Sequence, residues 1–465
     1  MMSTFISRAT GVVASVLLTG LAFAQADWTL RSPAHVPPKR MYTVIAQFGS
    51  GSSVVMFGGL NLGPPGVFSQ FNVLDDTWIW NGTDWTQLSL SLAPPARYGA
   101  SMAYDPVGGK AVLFGGRNAA GLLLSDTWLF APHRLCSKCT TFLAWSQVDP
   151  ATSPPARAEA AMAFDARLQR IILTAGTNGS GALNDTWRFD TTVNTWTLET
   201  PTFQFPAGFY SPNRQDTAVA SCHASSLFTG ALLFGGFNGS FVSPLGDTWV
   251  HEIATVLGVS DIGWFSVLTQ PQPAGRLGHA MAYYPVSDRA VLYGGQAWSQ
   301  LFNRPAILTD TWNGNCSELP LWAVAAPAHN PGAKIFHAMT TGPSGLTVVL
   351  FGGSSLGFPR LTTDAFPRGA DQNQTWTWGR QVACVPTDGS ELEVGTEVTC
   401  LFDPPAGVTF EGWTTEGFAP PRTDKSLVTF HTLGPGEASI TAEWTDSSGS
   451  HSETLDYTIV RRSHP

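Results

Sequence analysis

Six basic side chains recur at one position of a repeated pattern: Arg40, Arg97, Arg157, Arg214, Arg276 and Lys334. Gathered at one level of a ring, they would face a carboxylate, a sulfate or an acidic peptide, anions that Arg grips in a bidentate manner. A second grouping mixes aromatic and charged residues: Trp298, Phe302 and Arg304; Phe358, Arg360, Asp364, Phe366 and Arg368; and Phe68 with Phe71. Aromatics beside arginines suit stacking on a sugar ring combined with recognition of an anionic group. His279 and His337 each stand three residues after a basic residue, but no third metal ligand is evident beside them.

Each of these groups also has a structural reading. The basic residues recur together with the Asp of an Asp-Thr-Trp motif, and the last copy changes both, to Lys334 and Gln374. That joint change is what internal pairing would produce. The aromatics can equally pack long loops against the body, and the histidines can serve packing alone.

The elements that position these residues follow from internal repetition. A Gly-Gly pair ends an apolar strand at Gly58, Gly115, Gly235, Gly294 and Gly352, with Ala175-Gly176 as the third copy. The spacings are 57, 60, 60, 59 and 58 residues. Asp-Thr-Trp follows at Asp76, Asp126, Asp185, Asp247 and Asp310, and Gln374-Thr375-Trp376 takes its place in the sixth copy. A further Trp opens another strand at Trp85, Trp145, Trp196, Trp264 and Trp322. The sixth copy lacks that strand, whereas Trp28-Thr29-Leu30 precedes Arg40 at the spacing seen elsewhere. The N-terminal segment is therefore expected to complete the last copy and remove the exposed edges of an open β-architecture. An apolar stripe, Ile45, Met102, Met162, Val219, Met281 and Met339, lies five residues after each basic residue and reads as core.

Arg97, Gly115-Gly116, Asp126-Thr127-Trp128-Leu129-Phe130 and Trp145, with their equivalents, resemble the kelch repeat, most closely the secreted branch that includes the central domain of galactose oxidase. The resemblance implies an all-β fold: a six-bladed kelch-type β-propeller over residues 27–380, closed by its N-terminal strand. The loops between the Gly pair and Asp-Thr-Trp have 9, 8 and 10 residues in copies two to four, but 14, 20 and 16 in copies five, six and one. The long loops would stand as a wall over one side of a funnel, where propellers place function. Residues 381–465 change pattern to short alternating strands and resemble an immunoglobulin-like or polycystic-kidney-disease-type β-sandwich, for which Cys384 and Cys400 would form the disulfide.

Composition bounds the rest. The chain has 465 residues, a net charge of −9 and only 13% charged residues, about half the usual share. An acidic chain with five Lys is a poor match for nucleic acid or an anionic membrane. Residues 1–24 read as a secretory signal, with Arg8 before an apolar run too short to span a membrane; cleavage after Ala24 or Ala26 fits equally. Six cysteines in an exported chain read as disulfides. Cys136 and Cys139 form a lone C-x-x-C that is expected to be a small structural bridge. Cys222 and Cys316 are either a bridge between neighbouring copies or two buried thiols.

The sequence favours an exported recognition protein without a cofactor, binding an extracellular carbohydrate or protein, and leaves the oligomeric state open. Two enzyme readings compete. A copper-radical oxidase needs a Tyr-His ligand pair, and no Tyr-His dipeptide occurs. A sugar epimerase or mutarotase needs an acid and a base near the funnel, for which Glu159, Asp364 and His279 are the candidates. Asn81, Asn178 and Asn238 match glycosylation sequons, but Asn-Gly is also turn chemistry.

Overall fold

The computed structural model describes residues 26–49, 51–61, 72–134, 141–200, 211–222, 230–240, 243–256, 259–299, 304–316, 322–355, 372–380, 382–385, 390–402, 409–419, 427–446 and 449–461. Within them the chain is all-β, with two short 3-10 turns and no α-helix. No helix among the described residues is long and apolar enough to cross a membrane.

The described part of residues 27–379 folds into four-stranded antiparallel sheets and one two-stranded hairpin. Sheet one comprises Val44–Phe48, Ser53–Asn61, Asn72–Trp80 and Trp85–Leu88, in that spatial order. Sheet two repeats the pattern with Ser101–Asp105, Lys110–Phe114, Thr127–His133 and Phe142–Val148. Sheet three comprises Ala161–Asp165, Arg170–Thr174, Thr186–Asp190 and Thr195–Leu198, and sheet four Ala218–Ser221, Ala231–Gly236, Leu245–Val256 and Val259–Val267. Sheet five has Ala280–Tyr284, Arg289–Tyr293, Thr311–Asn315 and Trp322–Ala325. Sheet six has Ala338–Thr341, Val348–Phe351 and Thr375–Gly379, and its fourth strand is Asp27–Leu30, with Trp28 opposite Trp378 and Leu30 opposite Trp376. Each inner strand packs against the inner strand of the next sheet, and that of sheet six against that of sheet one.

The second strand of each sheet is apolar on both faces because sheets flank it on either side: Val54 to Phe57, Ala111 to Phe114 and Val348 to Phe351 are all buried. Two sets of hydrogen bonds tie sheet to sheet. The outer-strand indoles of Trp85, Trp145, Trp196, Trp264, Trp322 and Trp28 donate to the hydroxyls of Thr375, Thr77, Thr127, Thr186, Thr248 and Thr311, each in the preceding sheet, at 2.8–3.0 Å. The second Gly of each pair donates its backbone N–H to the carbonyl of the next sheet's basic residue, as Gly116 does to Arg157 at 2.9 Å. A Cβ on Gly115, at φ +66°, would sit 2.5 Å from the Arg157 carbonyl oxygen, whereas sheet three holds Ala175 at the equivalent place with φ 64°.

Residues 382–460 form two further sheets. Val382–Val385, Glu397–Phe402 and Leu427–His431 make one, and Glu391–Glu393, Gly449–Val460, Gly436–Asp446 and Thr409–Glu416 the other. They share one core, in which Val398 and Phe430 of the first meet Ile440 and Tyr457 of the second. Cys384 and Cys400 lie opposite each other in register and are joined as a disulfide. A second disulfide, Cys222–Cys316, links sheet four to sheet five across 5.4 Å between Cα atoms, which decides between the two readings of that pair. Cys136 and Cys139, and the expected signal segment, lie outside the described residues.

Candidate functional site

The basic residue that opens each inner strand is an internal clamp. Arg40, Arg97, Arg157, Arg214 and Arg276 are at most 1% exposed, and each guanidinium makes a bidentate pair with Asp76, Asp126, Asp185, Asp247 or Asp310 at 2.6–3.0 Å. A remaining N–H donates to the carbonyl of the first residue of the Gly pair, as Arg97 does to Gly115 at 3.0 Å. The same carboxylate accepts the indole N–H of the motif's Trp, as Asp126 does from Trp128 at 2.7 Å. Burial alone would raise the carboxyls of Asp126, Asp185, Asp247 and Asp310, but the arginine's hydrogen bonds and charge outweigh it and hold them below the usual range. In sheet six Lys334 is equally buried, and its amine meets the side-chain carbonyls of Gln372 and Gln374, neutral groups in place of the carboxylate. Burial lowers it to about 7. The six cations expected at an open mouth are thus turned inward and saturated, which is the pairing alternative. A free anion-binding ring does not form from them.

What the clamps hold is a ring two residues further on. Tyr42, Gly99, Glu159, Asp216, Gly278 and Phe336 all adopt left-handed backbone, with φ between 51° and 62°. Tyr42 N–H donates to Phe336 O, Phe336 to Gly278, Gly278 to Asp216, Asp216 to Glu159, Glu159 to Gly99 and Gly99 back to Tyr42, at 2.7–3.1 Å. The six bonds form a closed cycle around the point where the inner strands begin. Glycine is the unstrained occupant of such backbone, and four of the six positions nonetheless carry large or charged side chains.

Those side chains converge at the mouth. The rings of Tyr42 and Phe336 stack at 4.1 Å, and Tyr98 meets Tyr42 edge-on at 6.2 Å. Glu159 accepts a hydrogen bond from Gln215 Nε2 at 2.9 Å and faces Arg117 Nε at 3.5 Å. Its side chain keeps 11% of its surface open and that of Arg117 23%, so both line a recess that solvent reaches. Burial raises the Glu159 carboxyl, with Arg117 opposing. Asp216 is raised further, first by burial and then by the charge of Glu159, with Gln215 and Arg117 opposing. Both carboxyls of the pair therefore hold their protons to higher pH than free carboxyls do. Burial also raises Tyr42 and Tyr98.

The mouth is two-sided. Arg117, Glu159, Gln215 and Asp216, from sheets two to four, are polar, whereas Met41, Leu60, Phe237, Leu277, Ile335 and Phe336 form an apolar cluster largely from sheets five, six and one. A hairpin, Gln296–Ser299 with Arg304–Ile307, rises from sheet five and carries Trp298 opposite Pro305 and Arg304 opposite Ser299. Phe68, Phe71, Phe302, Phe358, Arg360, Asp364, Phe366 and Arg368 lie outside the described residues. His279 and His337 are 5% exposed and packed against Phe234 and Tyr293, with His279 Nε2 on the Phe234 carbonyl at 3.1 Å. Burial holds His279 far below its ordinary value and His337 at about 3, so both are neutral packing groups. Asn81 and Asn178 cap their own turns through their side-chain oxygens.

Glu159 is visible in the sequence as an acid–base candidate, but Asp216 and Arg117 are not singled out there. Their signal is positional: Asp216 occupies the slot that Gly99 and Gly278 hold in other copies, and Arg117 directly follows a Gly pair.

Residues 43–256 match the KLHDC2/KLHL20/DRC7 kelch-repeats domain. A curated relative, Adagio-like protein 1 of Oryza sativa subsp. japonica, is 25% identical over 284 residues, covering 58% of this chain. This chain spans 41% of that protein's length. Among solved structures, that titled "Structure of YjhT" aligns with a TM-score of 0.47 and 12% identity, covering 76% of this chain and 96% of the other. Residues 43–256 thus carry kelch repeats.

Proposed function

We propose that this is an exported recognition protein that binds a hydroxyl-rich ligand, an extracellular carbohydrate, at the mouth formed by Tyr42, Tyr98, Arg117, Glu159, Gln215 and Asp216. In this reading residues 1–24 direct export, residues 27–380 are a six-bladed kelch propeller closed by the N-terminal strand, and residues 381–465 are an immunoglobulin-like spacer. The sheet-to-sheet contacts and the pairing of Asp27–Leu30 with Thr375–Gly379 support the closed ring. The two disulfides favour an oxidising compartment.

One observation carries the binding site: Tyr42, Glu159, Asp216 and Phe336 occupy left-handed positions where glycine would be relaxed. Backbone strain kept in a ring that Gly99 and Gly278 satisfy without it points to side chains retained for what they contact. Aromatic faces beside planar hydrogen-bonding groups suit the apolar faces and hydroxyls of a sugar. Trp298 and Arg304 would extend the site over its apolar half. The test is a glycan array probed with the full chain and with Glu159→Gln and Arg117→Ala. Binding of the parent to a restricted glycan set, lost in both variants at unchanged melting temperature, supports the reading. Binding that survives both substitutions contradicts it.

A sugar epimerase or mutarotase is the second reading, favoured by two neighbouring carboxyls, Glu159 and Asp216, that burial raises. Acceleration of anomer or epimer exchange by catalytic amounts of protein, lost in Asp216→Asn, would establish it over simple binding.

A further inference from the structure

The inner strands end, at the face opposite the mouth, around an axial cavity of about 640 Å³, within the ~300–1,000 Å³ typical of small-molecule sites. Its lining begins at the level of Ile45, Met102, Met162, Val219, Met281 and Met339, three residues beyond the hydrogen-bonded ring. These residues, expected from the sequence to be plain core, pack between the sheets and also border the cavity. Met162 and Val219 are only half-buried. Methionine side chains are flexible and polarisable and adapt to varied apolar shapes.

Beyond that layer come small residues, chiefly alanine (Ala46, Ala103, Ala163, Ala220 and Ala282), which leave the space open. Nearer the rim the lining mixes polar Gln47, Ser221 and Thr341 with the rings of Tyr104, Phe164 and Tyr283. Gln47 Nε2 and Thr341 Oγ1 already donate to the carbonyls of Gly342 and Tyr283, which leaves the side-chain oxygens of Gln47, Ser221 and Thr341 as acceptors. Among the described residues no Asp, Glu, Lys, Arg or His lines the cavity. The acidic residues at this level are turned between the sheets, where Asp105 accepts from Thr191 and Asp165 from His251. Each inner strand is hydrogen-bonded into its sheet along one edge only, so backbone amides supply further neutral partners along the axis.

We propose that this cavity binds one uncharged amphipathic molecule, apolar end inward and hydrogen-bonding end at the Gln47, Ser221 and Thr341 rim. A charged head group would lose its hydration with no counter-charge to meet, which selects against fatty acids and sulfonates. The site is separate from the mouth and does not rest on the carbohydrate reading.

The test uses N-phenyl-1-naphthylamine, a neutral fluorophore, against 1-anilinonaphthalene-8-sulfonate, which has the same aromatic body and an added sulfonate. Saturable binding of the neutral dye is expected, with the sulfonate at least about tenfold weaker. Decan-1-ol should displace the dye and decanoate should not. Val219→Phe and Ser221→Phe, which fill the cavity from the lower layer and from the rim, should each weaken dye binding at least about tenfold at unchanged melting temperature. The proposal is overturned by any of three results: no saturable binding of the neutral dye, equal binding of both dyes, or unchanged affinity in a variant that melts like the parent. The decanol and decanoate competition needs no variant, and equal displacement by both would also overturn it.

Discussion

At the mouth end of the inner strands, Glu159 and Arg117 keep part of their side-chain surface open to solvent, with Asp216 half-buried beside them. At the hairpin end of the same strands, Asp105 and Asp165 are 2% exposed and point between sheets, and the described residues that line the axial cavity beside them are uncharged. The scaffold is common to both ends, so the difference lies in where each end turns its ionisable groups. Inward pairs contribute to the fold, as in the Arg–Asp clamps and the His251 pair with Asp165 and Glu199. Outward groups held on strained backbone are available to a ligand.

Breaking a clamp should have the largest effect. Arg157→Ala leaves Asp185 beside an empty buried slot and removes the support of the segment that carries Glu159, at an expected cost of about 3–5 kcal/mol. Urea unfolding would measure it, and glycan binding should fall with it. A loss under about 1 kcal/mol would place the pair among surface-like ion pairs and break the contrast drawn above.

The hairpin end should show its charge through pH. His251 lies between Asp165 Oδ2 at 2.8 Å and Glu199 Oε2 at 3.1 Å. Burial works against its protonation, but the charges and hydrogen bonds of Glu199 and Asp165 outweigh it and raise it to about 9. A histidine raised on folding stabilises fully below its ordinary value of about 6.5, and that contribution is lost as pH rises through about 9. Stability should therefore decline between those values in the parent and decline less in His251→Gln, as followed by unfolding midpoints across pH. Parallel profiles would rule out the protonated triad.

At the mouth, Asp216→Asn should leave unfolding nearly unchanged and weaken glycan binding roughly 10- to 100-fold, the loss expected for a hydrogen bond to a charged or acidic group. Dye binding in the axial cavity should not move. A variant that lost both would show that the two ends are one site.

The smallest expected effect concerns sheet six. Restoring the ionic clamp with Lys334→Arg and Gln374→Asp together should raise stability by about 1 kcal/mol, whereas Lys334→Arg alone should lower it by burying an unpaired cation. A double variant no more stable than the single one would mean that the clamp geometry of sheets one to five does not transfer.

Much of the fold was legible because its signals are local and repeated. The Gly pairs, the Asp-Thr-Trp motifs and Trp28 ahead of Arg40 mark strand ends, and the joint change to Lys334 and Gln374 already indicated that the Arg and Asp positions pair. The site was less legible because it depends on backbone conformation and on contacts between copies. Asp216 means nothing in isolation, and becomes notable only as the occupant of a left-handed slot shared with Gly99 and Gly278. The indole-to-threonine bonds, such as Trp145 to Thr77, join residues that no spacing within a copy relates. Loop length points to the long loops, most of whose aromatic and charged candidates lie outside the described residues. The short-loop half, where the carboxyl pair lies, offered no such cue.

The most direct test of the account is the thermal melting of the full chain and of Glu159→Gly, each with and without the glycan that gives the strongest array signal. Glycine relaxes the left-handed backbone at φ 58° and leaves the six-bond cycle of main-chain groups in place. The account predicts that the unliganded variant melts at or slightly above the parent, and that only the parent is raised by the glycan. A variant that melts several degrees lower, or that the glycan raises as much as it raises the parent, would contradict the claim that this side chain is kept for binding rather than for folding.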